Sequence, residues 1–114
     1  MEINVDEFEV IHNRAKQRFE IWIEGTLSEL DYRLQGNTLV IYHTGVPSAL
    51  EGNGIAGRLT QTALDYAAGE SLSVLPLCSY AAAYMRRHPR YTALGHKLRY
   101  FRRWKAQFVT VGII

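Results

Sequence analysis

Apolar and polar positions alternate three times in the first third of the chain. Phe8, Val10 and His12 stand against Glu9, Ile11 and Asn13; Phe19, Ile21 and Ile23 stand against Glu20, Trp22 and Glu24. A third stretch, Thr26 to Leu34, sets Leu27, Leu30, Tyr32 and Leu34 among polar residues. Period-two patterning with β-branched and aromatic residues predicts half-buried strands. Glu24-Gly25 and Gln35-Gly36-Asn37 have turn chemistry, so successive strands should pair as antiparallel hairpins. The next stretch, Thr38-Leu39-Val40-Ile41-Tyr42-His43, is nearly all apolar, as in a central strand covered on both faces.

The texture then changes. Thr44 to Gly57 holds four of the nine glycines, with Pro47 among them. Ile55, Leu59, Ala63 and Tyr66 recur at helical spacing, and Gly69 is a natural stop. Leu72, Val74 and Leu77 predict a further strand ending near Cys78. Ser79 is placed to cap a helix through Ala81 to Met85, which Pro89 stops. Strands, helix, strand, helix is the order of an α/β (α+β) fold whose mixed sheet is antiparallel in its first half.

Composition narrows the class. A chain of 114 residues, 47% apolar and 21% charged, is expected to fold as one domain. No apolar run approaches the roughly 20 residues that cross a bilayer, and the acidic MEINVDEFEV start lacks the layout of a secretory signal, so a cytoplasmic location is expected. The single cysteine, Cys78, excludes an internal disulfide and any multi-cysteine zinc site. The net charge of +2 conceals a polarised chain: all 11 acidic residues precede residue 71, while eight of the 13 basic ones follow residue 70. An anionic partner for the C-terminal half would explain this, as would two charged faces that attract each other or are simply solvated.

The candidate chemistry lies at Glu51-Gly52-Asn53-Gly54-Ile55-Ala56-Gly57, between a central strand and an amphipathic helix. Glycines let backbone approach a bulky ligand, and the free N–H groups of a helix's first turn suit a phosphate or pyrophosphate. No Gly-Lys-Ser/Thr follows, so this is not a P-loop, and the bare GxGxxG spacing of Gly52, Gly54 and Gly57 is by itself a weak dinucleotide signal. Taken alone, the string also fits an ordinary strand–helix connection.

Glu51-Gly52-Asn53-Gly54-Ile55-Ala56, the preceding His43-Thr44-Gly45-Val46-Pro47, and the later Val74 to Tyr80, Tyr84 and Arg86-Arg87-His88-Pro89-Arg90-Tyr91 together resemble the smallest single-domain branch of the GNAT-type N-acetyltransferases. The resemblance covers about residues 6 to 95. That family's loop reads Gln/Arg-x-x-Gly-x-Gly/Ala; here Glu51 stands at its first position, so its carboxylate should turn to solvent and offer only the backbone amide. Pro47 to Glu51 is also one residue longer than in many larger relatives.

The resemblance implies a GNAT-like fold with splayed fourth and fifth strands, acetyl-CoA as co-substrate, and direct acetyl transfer to an amine in a ternary complex. The gap would lie between Leu39–Gly45 and Leu72–Cys78, and Pro76 suits a place where pairing is interrupted. Pantetheine would bond the backbone near Thr44, Gly45 and Val46, and the pyrophosphate would sit on Asn53 to Arg58 (Asn53, Gly54, Ile55, Ala56, Gly57 and Arg58), with Glu51 and Gly52 as the other cofactor-binding residues of the loop. Cys78 would stand beside the CoA sulfur, protonating the leaving thiolate or shaping the site, with an acetyl-cysteine intermediate as the variant; otherwise it is a small buried hydrophobe. Tyr84 falls where the family places a general acid, and otherwise packs on its helix. His43 suits a base by its ordinary pKa, and otherwise is a hydrogen-bonded core histidine. Arg86, Arg87 and Arg90 are a solvated helix end or meet phosphates of CoA. No metal is expected, since the histidines show no ligand spacing.

Residues 1–95 would form the acetyl-CoA-binding domain and 96–114 a basic, aromatic extension. Leu98, Phe101, Trp104 and Phe108 approximate one helical stripe among five basic residues. Such a segment packs on the domain or a second subunit, or contacts nucleic acid or an anionic membrane; the first is favoured, in a monomer or homodimer. The rival functions are a CoA-binding sensor with little catalysis and a nucleic-acid-binding module that uses this extension. A short chain leaves an open site, which favours an exposed amine on a protein or a small polyamine.

Overall fold

Five strands form one sheet in the order of the sequence: β1 (Ile11–Asn13), β2 (Arg18–Ile23), β3 (Thr26–Gln35), β4 (Thr38–Gly45) and β5 (Ser73–Pro76). The structure, a computed structural model, describes residues 3–91 and 93–94. The expected extension over 96–114, its stripe, and the boundary at residue 95 lie outside the described residues. The first four strands pair antiparallel and β5 joins β4 in parallel, which requires the crossover helix α1 (Ile55–Gly69). A second helix, α2 (Ser79–Arg87), follows β5, and Pro89–Tyr91 forms a 3₁₀ turn.

Alternation decides the faces. Phe19, Ile21 and Ile23 of β2, Leu30 and Tyr32 of β3, and Leu39 and Ile41 of β4 all join the core. They meet Leu59, Ala63, Leu64 and Ala67 of α1 and Ala81 of α2, so both helices share one core. The three hairpin turns use the left-handed region, with φ of 53° at Gln17 between β1 and β2, 50° at Glu24 and 78° at Gly25 between β2 and β3, and 59° at Gly36 between β3 and β4. Beside the core, His12 stacks on Phe19 at 4.2 Å and meets the edge of Tyr66 at 4.6 Å, while its Nε2 lies 2.6 Å from the Tyr32 hydroxyl.

Two local readings change. The first alternating stretch pairs only over Ile11–Asn13, because Val5–Glu7 turns as a 3₁₀ helix capped by Asn4; Phe8 and Val10 pack on the core without ladder bonds. Cys78, not Ser79, occupies the N-cap of α2, and no side chain caps that helix. The N–H groups of Leu77 and Cys78 both donate to the Ile41 carbonyl, at 2.9 and 3.1 Å, which keeps the backbone extended up to the cap.

Candidate active site

The β4–β5 ladder ends at Ile41↔Pro76, whereas β4 itself continues to Gly45. Beyond Pro76 the ladder stops, because the next two donors, the N–H groups of Leu77 and Cys78, both go to the Ile41 carbonyl and the chain enters α2 at Ser79. Into this opening project residues whose direction is set by a bulge. The β3–β4 register runs from Tyr32↔Ile41 to Asp31↔His43, so Tyr42 is the extra residue. A bulge re-aims the side chains beyond it. His43, which strict alternation would point at the helices, instead lies on the opposite face with its side chain 51% exposed, so the core-histidine alternative is set aside. Thr44 takes the helix side, and its Oγ1 accepts from the Cys78 thiol at 3.5 Å.

Below the opening lies a cavity of about 550 Å³. Thr44, Gly45 and Val46 of the β4 end line one side, and Glu51, Gly52, Gly54, Ile55, Ala56 and Gly57 line the other. Asn53 is turned into its own loop, donating through Nδ2 to the Leu50 carbonyl at 2.9 Å. Gly52 and Gly54 adopt φ of 85° and 80°, a region that glycine enters without penalty. Gly54 is the N-cap of α1, with no side-chain cap, and the first intrahelical bond runs from the Arg58 N–H to its carbonyl. The amides of Ile55, Ala56 and Gly57 therefore precede any intrahelical acceptor. The Glu51 side chain is exposed, as expected, but its N–H donates to Ser48 O at 3.3 Å, so this amide closes the turn instead of facing a ligand.

The open amides at the start of α1 fit an anionic group. Arg58 Nε, in the first turn of α1, is buried without a hydrogen-bond partner among the described residues. Arg58 does not itself line the cavity, whose phosphate-suited donors are the open amides at the α1 N-terminus. The first turn of α1 holds no acid that would compete with such an anion.

The other expected residues divide. Tyr84 is 8% exposed and stacks on His88 at 3.8 Å; burial pushes its phenol pKa up, which keeps it protonated. Tyr80, one turn earlier, lines the cavity, and its hydroxyl would stand 3.4 Å from a Cβ at Gly57. Sequence reasoning does not single out Tyr80 or Leu50 as lining residues; the i, i+4 spacing of Tyr80 and Tyr84 is the available signal. Arg86 and Arg87 fall in the last turn of α2, while Arg90 bonds Tyr91, whose hydroxyl donates to Asp65 at 2.8 Å. Among the described residues, one group could offer three metal ligands: Glu29, Asp31 and His43, with ligand atoms within 4.8 Å of one another. Arg18 already lies 3.8 Å from Glu29 and supplies the positive charge there. No helix among the described residues is long and apolar enough to cross a membrane.

A glycine loop caps the crossover helix beneath a parallel strand pair that opens at its C-terminal end, and the comparisons say which class of protein shares this arrangement. Residues 18–94 match the family model for GCN5-related N-acetyl-transferases, and the chain belongs to that family and is an acetyltransferase by class. It is 33% identical over 91 residues to Protein NATD1 of Gallus gallus, covering 77% of this chain and 83% of that protein. Protein NATD1 of Mus musculus is 34% identical over 83 residues, covering 70% of this chain and 76% of its own. A GCN5-like protein from Staphylococcus aureus, solved in solution by NMR, superposes with a TM-score of 0.61 at 26% identity, covering 74% of this chain and 83% of its own.

Proposed function

We propose that the protein binds acetyl-CoA in the 550 Å³ cavity and transfers the acetyl group directly to an amine in a ternary complex. The observation that carries this reading is the opening of β4 from β5 beyond Ile41↔Pro76, with Cys78 on one side and Thr44 on the other. Acetyl-CoA supplies an activated thioester. The amides of Ile55, Ala56 and Gly57 would hold its phosphates, and the β4 backbone from Thr44 to Val46 would align its arm.

The bulge places His43 on the face away from the helices, where an acceptor amine could approach. An amine of lysine type has a pKa of about 10.4, so freeing it at pH 7 costs roughly 4–5 kcal/mol. His43, as base directly or through one water, would take that proton as the nitrogen attacks the thioester carbonyl. Cys78 and the phenols are the donors for the departing thiolate, with Tyr80 nearer the cavity than Tyr84. Cys78 acts here without forming an acetyl-enzyme. The favoured acceptor is an exposed amine on a protein or a polyamine, in keeping with the half-exposed His43.

The test is release of free CoA thiol across a panel of amines. Acceptor-dependent release supports the reading, and binding without release would convert the protein to a CoA-binding sensor. Mass spectrometry under single turnover should find no acetyl-Cys78; its accumulation would establish the covalent route instead.

A further inference from the structure

The face of the sheet turned away from the helices carries a chain of charges that ends at His43. It begins at Glu20, 4% exposed, whose carboxylate accepts from Trp22 Nε1 and Asn13 Nδ2, each at 3.0 Å, and pairs with Arg18. Burial alone would raise the Glu20 pKa, but the hydrogen bonds from Trp22, Arg18 and Asn13 outweigh it and hold the group ionised. Arg18 NH1 then lies 3.8 Å from Oε1 of Glu29 on β3, and Oε2 of Glu29 lies 3.5 Å from Nε2 of His43 on β4. Asp31, directly across from His43, is the other charged group facing it.

The backbone leaves room for this arrangement. Gly45 is the cross-strand partner of Glu29, and a Cβ there would stand 2.9 Å from His43 Nε2 and 3.5 Å from Glu29 Oε2. The imidazole therefore lies over the Gly45 backbone, in space that any other residue would fill. A half-exposed histidine has several rotamers open to it. Here one is favoured by a carboxylate that is itself anchored by an arginine tied to a buried acid.

We propose that Glu29, anchored through Arg18 and Glu20, is a positioning residue that fixes the His43 ring over Gly45 and so presents its second nitrogen to the acceptor. The inference rests on the acetyl-transfer reading for its catalytic consequence but not for its geometry. In Glu29→Ala, acceptor-dependent kcat should fall about tenfold to a hundredfold, the scale of a misplaced reacting group. The KM for acetyl-CoA should stay within about twofold, since Glu29 is outside the phosphate cradle.

The decisive readout is a double-mutant cycle. In a His43→Gln background, Glu29→Ala should cost less than about twofold in kcat, because the group it positions is gone. Equal losses in both backgrounds, or no loss in the wild-type background, would overturn the proposal. If the Ala variant fails to fold, Glu29→Gln, which keeps the shape and removes the charge, takes its place. Independently of any turnover, ligand-free protein should show a nuclear Overhauser contact between His43 Hε1 and a Gly45 Hα that Glu29→Ala abolishes. Its persistence in the variant would overturn the positioning role even if acetyl transfer is real, and its loss would uphold the geometry even if no acceptor is found. Wild-type turnover should also survive EDTA; loss on chelation and recovery with zinc would assign Glu29, Asp31 and His43 to a metal instead.

Discussion

Gly54 and Gly57 are three residues apart, and alanine should have opposite effects at the two positions. Gly54 caps α1 at φ 80°, ψ 13°. A Cβ there would meet only Val5 Cγ1, at 3.9 Å, so space is not the obstacle. The cost is conformational: the left-handed region disfavours an L-residue by about 1–2 kcal/mol, offset in part by the lower chain entropy of unfolded alanine. The net loss is about 1 kcal/mol. Gly57 lies within the helix, and its Cβ would make ordinary contacts at 3.4 Å with the Tyr80 hydroxyl and 3.7 Å with Tyr84 Cε2. Alanine there recovers up to about 1 kcal/mol of helix propensity. The two variants should therefore differ by about 1.5–2 kcal/mol, or roughly 6–8 °C in Tm at about 4 °C per kcal/mol for a domain of this size. Urea unfolding followed by tryptophan fluorescence reads this directly, with equal m values expected. Equal shifts, or a larger loss for Gly57→Ala than for Gly54→Ala, would refute the assignment of cap and helix interior.

Leu59→Ala removes a fully buried side chain between α1 and the sheet and should lower stability by about 2–5 kcal/mol in the same assay. His12 has its pKa lowered by burial and by Arg14, so the unfolded chain takes up the proton first as pH falls. Stability should therefore be full above about pH 6.5 and decline below it, and His12→Gln should flatten that slope in melts from pH 7.5 to 5.5. At the cavity wall, Tyr80→Phe should lower acceptor-dependent kcat by about a hundredfold or more and Tyr84→Phe by less; the reverse ranking would return the acid role to Tyr84.

The strands, the crossover helix and the glycine loop are legible in the sequence because each obeys a local rule. Phe19, Ile21 and Ile23 alternate, Ile55, Leu59 and Ala63 keep the helical period, and Gly52 and Gly54 take the positive φ values that a tight strand–helix passage needs. Features decided by tertiary register are not legible in this way. One extra residue at Tyr42 reverses the faces of His43 and Thr44, and nothing in Ile41-Tyr42-His43-Thr44 announces it. The Glu51 amide is taken by a 3₁₀ turn over Ser48–Leu50, whose closure depends on Pro47 accepting from Leu50. Ser79 has the chemistry of a cap, yet the two bonds to the Ile41 carbonyl give that place to Cys78. Glu29 is silent in the sequence because its partners, Arg18 and His43, belong to neighbouring strands.

The central claim is that the loop from Gly52 to Arg58 cradles acetyl-CoA, and calorimetric titration of wild type and Gly54→Trp tests it most directly. The account predicts saturable binding by wild type and none by a Gly54→Trp variant whose thermal melt shows that it still folds. Absence of wild-type binding at millimolar acetyl-CoA, or equal binding by the two proteins, would contradict it.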